Sequence, residues 1–321
     1  MNNYQILHYH ITQPVSQITF LEVSDAANFV DEANVNTEEL EGRINELLNF
    51  LKKKNEVLVY FSTSFLDHLS KDLPSTLDNI KSYVDKGQIK LVASCAYHSL
   101  SFLCHPELFK KEIAFHKESY KKYFGQQSDL FINTACLFND QLIESLGNEG
   151  FSSIVAPSNS WHLSGLKSAD VYQSVGNSPL KIILSNGDSS STIYVGLANG
   201  FGSGYNDKEI LTSNLKELDK KLSGKSKLET YSASMPLSSP EWSHPLAIYL
   251  ATALQKALFN ECRRLIDKTH DRLGDEDWKV LMHLCQPDLL IRLNTNQSNN
   301  GFPHFINCMN VLTAIGLKYR N

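Results

Sequence analysis

The sequence predicts an α/β protein: an incomplete seven-stranded parallel (β/α) barrel of the TIM type with a C-terminal helical subdomain. Short β-branched or aromatic runs alternate with amphipathic stretches up to about Tyr231, and only helical periodicity follows. Alternating strands and helices are typical of a parallel sheet. Roughly seven strand units within about 200 residues favour an incomplete barrel over an open sheet.

The strands are predicted where β-branched and aromatic residues concentrate between turn signals. In chain order they are Gln5–His10, Val57–Ser62, Ile89–Ser94, Leu130–Asn133, Ser153–Ala156, Lys181–Ser185 and Thr192–Gly196.

The intervening helices are predicted from apolar stripes at helical spacing. They are Glu38–Lys54, Pro74–Lys86, Glu107–Phe124, Asp140–Asn148 and Asp207–Leu222, followed by the tail helices Pro245–Thr269, Asp275–Leu293 and Phe302–Leu317. In the third helix His116 shares a stripe with Phe109, Ile113 and Tyr120, which predicts a histidine that packs against the sheet. The Ser/Pro-rich stretch Ser232–Pro240 places the boundary between a barrel at 1–234 and a helical subdomain at 235–321.

Composition excludes several classes of function. The chain has 321 residues, 42% of them hydrophobic, and a formal net charge of −5. Its basic clusters are short helix-end or surface groups, so we expect no nucleic-acid partner. No apolar run approaches the ~20 residues that span a bilayer, and the start lacks the pattern of a signal peptide, so we expect a cytoplasmic protein without membrane contact.

The six cysteines are scattered, with no Cys-x-x-Cys pair of the kind that zinc or redox motifs use. We therefore expect reduced, mostly buried thiols, no metal and no cofactor.

Residues 131–140 read Phe-Ile-Asn-Thr-Ala-Cys-Leu-Phe-Asn-Asp. This stretch resembles the Asn-Thr-Glu-Leu-Ile-Tyr-Asn-Asp segment of glycoside hydrolase family 57, the α-amylase and 4-α-glucanotransferase family, whose Glu is the catalytic nucleophile. Ala135 stands at that position. Because a methyl group cannot form a glycosyl-enzyme ester, the resemblance implies that retaining hydrolysis is lost at its first step.

Other blocks carry the same resemblance along most of the chain. The run 97–101, Tyr-His-Ser-Leu-Ser, matches a family motif, and the segments around Trp161 and 305–312 resemble a family loop and a closing helix. The resemblance implies a seven-stranded (β/α) barrel with a helical C-terminal region, which agrees with the periodicity.

The departures from the family pattern fall where its chemistry lies. Thr12 replaces the His of a His-Gln-Pro motif, and Ser94 lies in the segment that replaces Gly-Glu-Thr-Tyr. The general-acid Asp aligns with Gly196 or, after a shift of one residue, with Leu197. No catalytic residue is therefore assigned. Thr12, Ser94, Ala135 and Gly196 are degenerate positions.

Individual residues offer rival interpretations. Strand alternation predicts that Cys136 faces the helix layer rather than the cleft, which argues against a substitute nucleophile. Asp140 is interpreted as a first-turn helix acid rather than a catalytic group. His8, His10 and His98 could form a metal site, but no neighbouring Asp is evident, so we interpret them as hydrogen-bonded groups within the barrel.

Aromatic and polar residues near the predicted mouth suggest sugar binding. Tyr97, Trp161 and Trp242 could stack on glucose rings, and Gln13, His98 and Asn133 could bind hydroxyl groups. The alternative is that these rings pack the barrel against the helical tail.

Three functions remain open. The first is an inactive family 57 homologue that binds an α-glucan or serves a protein partner in glucan metabolism. The second is an active hydrolase or glucanotransferase with relocated loop carboxylates, such as Asp170, Asp188, Asp207 or Glu241. The third is an interaction protein with a closed barrel.

Overall fold

The computed structural model describes residues 6–10, 37–163, 165–166, 170–176, 179–184, 192–196, 213–224, 228–238, 244–294 and 301–320. Their contacts form two units. The first contains 6–10, 37–94 and the described residues of 115–245, and the second contains 95–114 and those of 246–320. None of the described helices combines the length and the apolar character that crossing a membrane requires.

The first unit carries two sheets. The strands, in chain order, are β1 (Ile6–His10), β2 (Val57–Phe61), β3 (Ile89–Leu91), β4 (Leu130–Ile132), β5 (Ser153–Ala156), β6 (Val171–Ser174), β7 (Lys181–Leu184), β8 (Thr192–Gly196) and β9 (Thr230–Tyr231). One sheet has the order β3-β2-β1-β8 and the other β4-β5-β7-β6-β9. An isolated parallel bridge between Ala93 and Phe131 joins them. The α/β class with parallel sheets is therefore confirmed.

All seven predicted strands are present within one to three residues of their expected ends. Among the described residues, β6 pairs antiparallel with β7 and is the one strand that breaks the parallel pattern. The ladders of these residues do not close the two sheets into a ring, so the seven-stranded barrel stays a prediction.

Helices of the first unit are α1 (Thr37–Lys52), α2 (Thr63–Asp72), α3 (Pro74–Asp85), α6 (Asp140–Asn148) and α7 (Leu215–Ser223), and α5 (Pro106–Phe124) continues into it from the second. The sequence predicted all of these except α2. Ser62 begins α2 by accepting a hydrogen bond from the N–H of Phe65, so the strand β2 turns directly into a helix.

Helix α7 lies across the amino ends of the strands. The N–H of Leu215 donates to the carboxylate of Glu56 at 3.0 Å, and Lys90 pairs with Asp219 at 2.7 Å. Lys181, the first residue of β7, donates to the carbonyl oxygen of Gly224 at 2.8 Å. The amino end of the first unit is therefore covered by α7.

Above α7 lies one apolar cluster that the two sheets share. It is built by alternate strand residues and by two leucines of α7, and its members are Ile6, Leu58, Tyr60, Val92, Leu130, Ile132, Cys136, Val155, Val171, Ile183, Leu215 and Leu218. These side chains pack together between the sheets and give the described part of the first unit an apolar core.

Helices dominate the second unit: α4 (Ser101–Cys104), the first turns of α5, α8 (Ala247–Leu250), α9 (Ala253–Thr269), α10 (Asp275–Leu284), α11 (Pro287–Arg292) and α12 (Gly301–Lys318). Two predicted tail helices are each split. Thr252 caps α9 in a capping box with Gln255, and Pro287 starts α11 because its ring cannot continue α10. The domain boundary at 234/235 stays a prediction; residues 95–114 group with the tail, which sequence reasoning did not anticipate.

Candidate functional site

The turn after β4 contains Ala135, the position that the sequence resemblance aligns with the catalytic nucleophile. Residues Thr134–Cys136 form a single 3-10 turn, in which Ala135 has φ 55° and ψ 22°. Cys136 also has a positive φ, 50°. Two consecutive left-handed residues with side chains cost roughly 1–2 kcal/mol each, and such strain concentrates at functional sites.

Asn133 shapes this turn. Its side-chain oxygen accepts from the N–H of Thr134 at 2.9 Å, and its amide group donates to the carbonyl oxygen of Leu137 at 3.1 Å. The side chain is buried. Asn133 thus holds both ends of the turn, which is a positioning role different from the hydroxyl-binding role predicted from the sequence.

The prediction that Cys136 faces the helix layer is wrong. It assumed that β4 continues through Cys136, whereas the strand ends at Ile132 and the left-handed turn redirects the chain. The thiol lies in the apolar cluster, and burial raises its pKa to about 12. A thiol that stays protonated is a poor nucleophile, so Cys136 does not replace the missing carboxylate.

Asp140 is the described carboxylate that follows Ala135 most closely in the chain. It lies in the first turn of α6, as predicted, while Asn139 supplies the cap. Its two oxygens accept from the N–H of Ala233 at 2.9 Å and from the hydroxyl of Ser232 at 2.7 Å. The carboxylate therefore fastens the 232–237 segment onto the start of α6.

Trp161 lies in the loop that follows β5, and 52% of its surface is exposed. Its neighbour His162 bonds to the carbonyl oxygen of Ser232 at 2.8 Å and packs edge-on against Tyr231 at 5.3 Å. The Tyr231 hydroxyl donates to the carbonyl oxygen of Pro157 at 3.0 Å. These contacts hold the loop at Pro157 and at His162, and the Trp161 ring itself remains exposed.

Buried hydroxyl groups gather at the carboxyl ends of β3, β4 and β5. Ser94, Thr134 and Ser158 each follow one of these strands, and each is at most 2% exposed. None of the three hydroxyls has a hydrogen-bond partner. These three side chains are therefore part of the buried interior at this end of the strands and not of its exposed surface.

Tyr97 and His98 belong to the second unit. The Tyr97 ring is 6% exposed and lies 4.7 Å from the His283 ring, so in this structure it presents no open face to a sugar. His98 is buried and has φ 54°. The burial of the Tyr97 ring therefore fits a packing role better than stacking on a sugar.

Sequence reasoning missed Glu112, which organises the 97–101 motif. Its carboxylate is fully buried and accepts from the N–H of Tyr97 at 3.0 Å and from the hydroxyls of Ser99 and Ser101 at 2.5 Å each. Burial raises the pKa of this carboxyl, and the serine donors oppose the rise. A glutamate in a helix gives no signal in the sequence that it is buried. The two serines of the 97–101 motif were the sequence feature that could have indicated its hydrogen bonds.

Several predicted residues lie outside the part of the chain that the structure describes. They are Thr12, Gln13, Trp242 and three of the relocated carboxylates, Asp188, Asp207 and Glu241. The fourth carboxylate, Asp170, is described and pairs with Lys221 at 3.3 Å.

The three histidines that we interpreted from the sequence as hydrogen-bonded groups lie in both units. His8, on β1, is buried with its ring 5.5 Å from that of Tyr60, and the backbone of His10 pairs in register with Gly196, the position aligned with the general acid. His98 is in the second unit. Among the described side chains, the one group that could hold a metal consists of Cys104, Cys262 and Cys285.

The first unit also has a cavity of about 600 Å³ at the amino ends of its strands. Asp129, Ser153 and Lys181, which lie at the starts of β4, β5 and β7, are among its lining residues. It is therefore at the opposite end of the strands from Ala135. In (β/α) barrels, the chemistry lies at the carboxyl ends, so this cavity is not the candidate catalytic site.

Comparison with known proteins identifies the family of the chain. The sequence profile described as Glycosyl hydrolase family 57 matches residues 6–197. A Methanocaldococcus jannaschii protein that carries a provisional alpha-amylase name is 29% identical over 113 residues, which are 34% of this chain and 24% of that protein.

Two solved structures share the fold. The 4-alpha-glucanotransferase of Thermococcus litoralis aligns with a TM-score of 0.62 and 13% identity over 98% of this chain and 60% of its own. A family 57 branching enzyme from Thermococcus kodakaraensis, crystallised with glucose, gives a TM-score of 0.62 and 10% identity over 98% of this chain and 89% of its own.

The chain thus spans about a quarter of the M. jannaschii relative and three fifths of the glucanotransferase. The matched region includes β4, whose carboxyl end leads into the Ala135 turn, and the match extends to the end of β8. The chain belongs to glycosyl hydrolase family 57.

Proposed function

We propose that this protein is a glucan-binding member of family 57 that has lost glycosidase activity. The observation that carries the proposal is Ala135, a methyl group in the strained turn at the carboxyl end of β4. A retaining glycosidase needs a carboxylate there to attack the sugar and a second one about 5–5.5 Å away to protonate the leaving group.

Three described carboxylates that flank β4 and β6 support the loss. Asp140 is committed to Ser232 and Ala233. Asp129 precedes β4 at the amino end and accepts from Ser152 at 2.9 Å. Asp170 is paired with Lys221. Each of these groups already stabilises the fold, and none replaces the nucleophile.

Binding is supported by a feature that remains near the same end. The exposed Trp161 ring, in the loop after β5, offers an apolar face of the kind on which sugar rings stack. A role beside active glucan enzymes, as a regulatory or structural partner, would need binding without turnover.

The test pairs calorimetric titration with maltoheptaose and glycogen against overnight release of reducing sugar. We expect the wild type to bind and to release nothing. Trp161→Ala should bind at least about tenfold more weakly, as loss of a central aromatic contact does. Phe302→Ala is the matched control, because Phe302 is 60% exposed but lies on α12 of the second unit.

A double variant, Ala135→Glu with Gly196→Asp, asks whether the scaffold still supports catalysis. Sugar release by the double variant alone would locate the loss at these two positions. Release by the wild type would overturn the proposal in favour of relocated carboxylates such as Asp188 or Asp207. Absence of both binding and release would favour the interaction protein with a closed barrel.

A further inference from the structure

Three cysteines of the second unit, Cys104, Cys262 and Cys285, form what we name the cysteine triad. Their sulfur atoms all lie within 4.8 Å of one another, and all three residues are buried. They come from the end of α4, the middle of α9 and the residue that follows α10. The six cysteines are free, so the triad is not already consumed by a disulfide.

The backbone around the triad is held from several directions. Arg263, beside Cys262 on α9, donates to the carbonyl oxygens of Cys104 at 2.7 Å and Leu103 at 2.6 Å. The N–H of Leu100 donates to the carbonyl oxygen of Cys285 at 2.8 Å. These bonds fix all three sulfur-bearing segments to each other without any ligand.

The sulfur spacing suits a tetrahedral metal. Zinc–thiolate bonds of about 2.3 Å place two sulfur ligands roughly 3.8 Å apart, so the triad needs to contract by no more than about 1 Å. Small side-chain rotations achieve this. Three protein ligands leave a fourth position for a water molecule or a small ligand.

Ligand type selects the class of ion. Thiolate ligands exclude the hard cations Mg²⁺ and Ca²⁺. Zinc is the divalent ion that sulfur ligands commonly hold in tetrahedral geometry.

We propose that the cysteine triad binds one Zn²⁺ ion, which ties α4, α9 and α10 together and keeps its fourth coordination position for a water molecule or a small ligand. The expectation from the sequence was that no metal is bound, because the cysteines lack paired spacing. The fold supplies the spacing instead. This site is independent of the glucan proposal, since no residue of the Ala135 turn takes part in it.

The experiment is a metal titration of the full chain, stripped with a chelator and kept reduced. We expect one equivalent of Zn²⁺ to stay bound through gel filtration and to raise the melting temperature. Cys262→Ser and Cys285→Ser should each weaken Zn²⁺ binding at least tenfold. Cys136→Ser is the matched control: it removes an equally buried thiol from the first unit and should leave the stoichiometry at one.

A second readout keeps the proposal testable if the serine variants fail to fold. Co²⁺ added to the wild type should give an ultraviolet thiolate-to-metal charge-transfer band that Zn²⁺ then displaces. Substoichiometric Zn²⁺ in the wild type, a Co²⁺ spectrum without that band, or equal loss of binding in Cys136→Ser would overturn the proposal.

Discussion

The hydroxyl of Tyr120 on α5 donates a hydrogen bond to the carbonyl oxygen of Val92 at 2.8 Å. The same hydroxyl accepts from the N–H of Phe61 at 3.0 Å. Phe61 ends β2 and Val92 follows β3, so one side chain bridges two neighbouring strand ends just before Ala93 joins the second sheet.

Removal of this hydroxyl should destabilise the first unit. Tyr120→Phe keeps the ring but leaves a buried N–H and a buried C=O without partners, and we expect a loss of about 2–4 kcal/mol. Urea unfolding measures it. Tyr83→Phe, on the less buried face of α3, is the control and should change stability by less than about 0.5 kcal/mol. Equal effects of the two changes would show that the bridge is unimportant.

The strained turn predicts a stabilising substitution. Ala135→Gly removes the side chain that disfavours a positive φ, and we expect a gain of about 1 kcal/mol in the free energy of unfolding. Ala156→Gly serves as the control: it lies in β5, and there glycine should cost about 1 kcal/mol. The two substitutions should therefore change the free energy of unfolding in opposite directions. A loss of stability in Ala135→Gly would mean that the turn is not strained in solution.

The buried carboxylate of Glu112 should be sensitive to neutral replacement. In Glu112→Gln an NH₂ group replaces one carboxylate oxygen and cannot accept the hydrogen bonds that this oxygen receives from the N–H or hydroxyl donors. We therefore expect the free energy of unfolding to fall by about 1–3 kcal/mol. Thermal unfolding checks this. Glu118→Gln, further along the same helix, is exposed and should be nearly neutral.

Glu112 also gives a pH dependence. Because burial raises its folded pKa above the ordinary value of 4.5, the folded state holds a proton that the unfolded state has released. Its contribution to stability is complete below that ordinary value and is lost as the pH rises through the folded pKa. The wild type should therefore lose stability relative to Glu112→Gln as the pH rises from 4.5, and parallel curves would contradict the assignment.

His116 gives the opposite dependence. Its ring is 1% exposed, neither nitrogen has a partner, and burial lowers its pKa to about 3. The stability that this depressed pKa contributes is present above pH 6.5 and is lost as the pH falls toward 3. His116→Phe keeps the packing against Tyr60 and Tyr120, whose rings lie 5.5 and 4.2 Å away. Because phenylalanine binds no proton, this substitution removes the loss of stability at low pH.

At pH 5, about 1.5 units below the ordinary histidine pKa, His116→Phe should therefore gain about 2 kcal/mol over the wild type relative to pH 7. Denaturant curves at the two pH values measure this difference. His270→Gln, an exposed histidine on the second unit, should show no such change.

The strands were predictable because their β-branched and aromatic runs are local signals. The sequence did not reveal β6 and β9, since four and two residues are too short to show a period. The left-handed turn at Ala135 was missed because no glycine marks it. His116 was placed correctly against the sheet, since its stripe of apolar neighbours has helical spacing.

The candidate site was predictable only where a motif marked it. Ala135 stood out because the residues around it resemble a family segment, and Trp161 because it lies in a family-like loop. Glu112 and the cysteine triad depend on contacts between segments that are far apart in the chain, which the sequence does not display. Tyr97 has an aromatic side chain suited to stacking, yet its burial depends on contact with His283, which lies far away in the sequence.

The contacts of α7 join parts of the chain that are far apart in sequence. Glu56, Lys90 and Lys181 are all contacted by residues 215–224, and Leu215 and Leu218 belong to the shared apolar cluster. Loss of α7 would expose this cluster to water, so the helix and the strands of the first unit should unfold together.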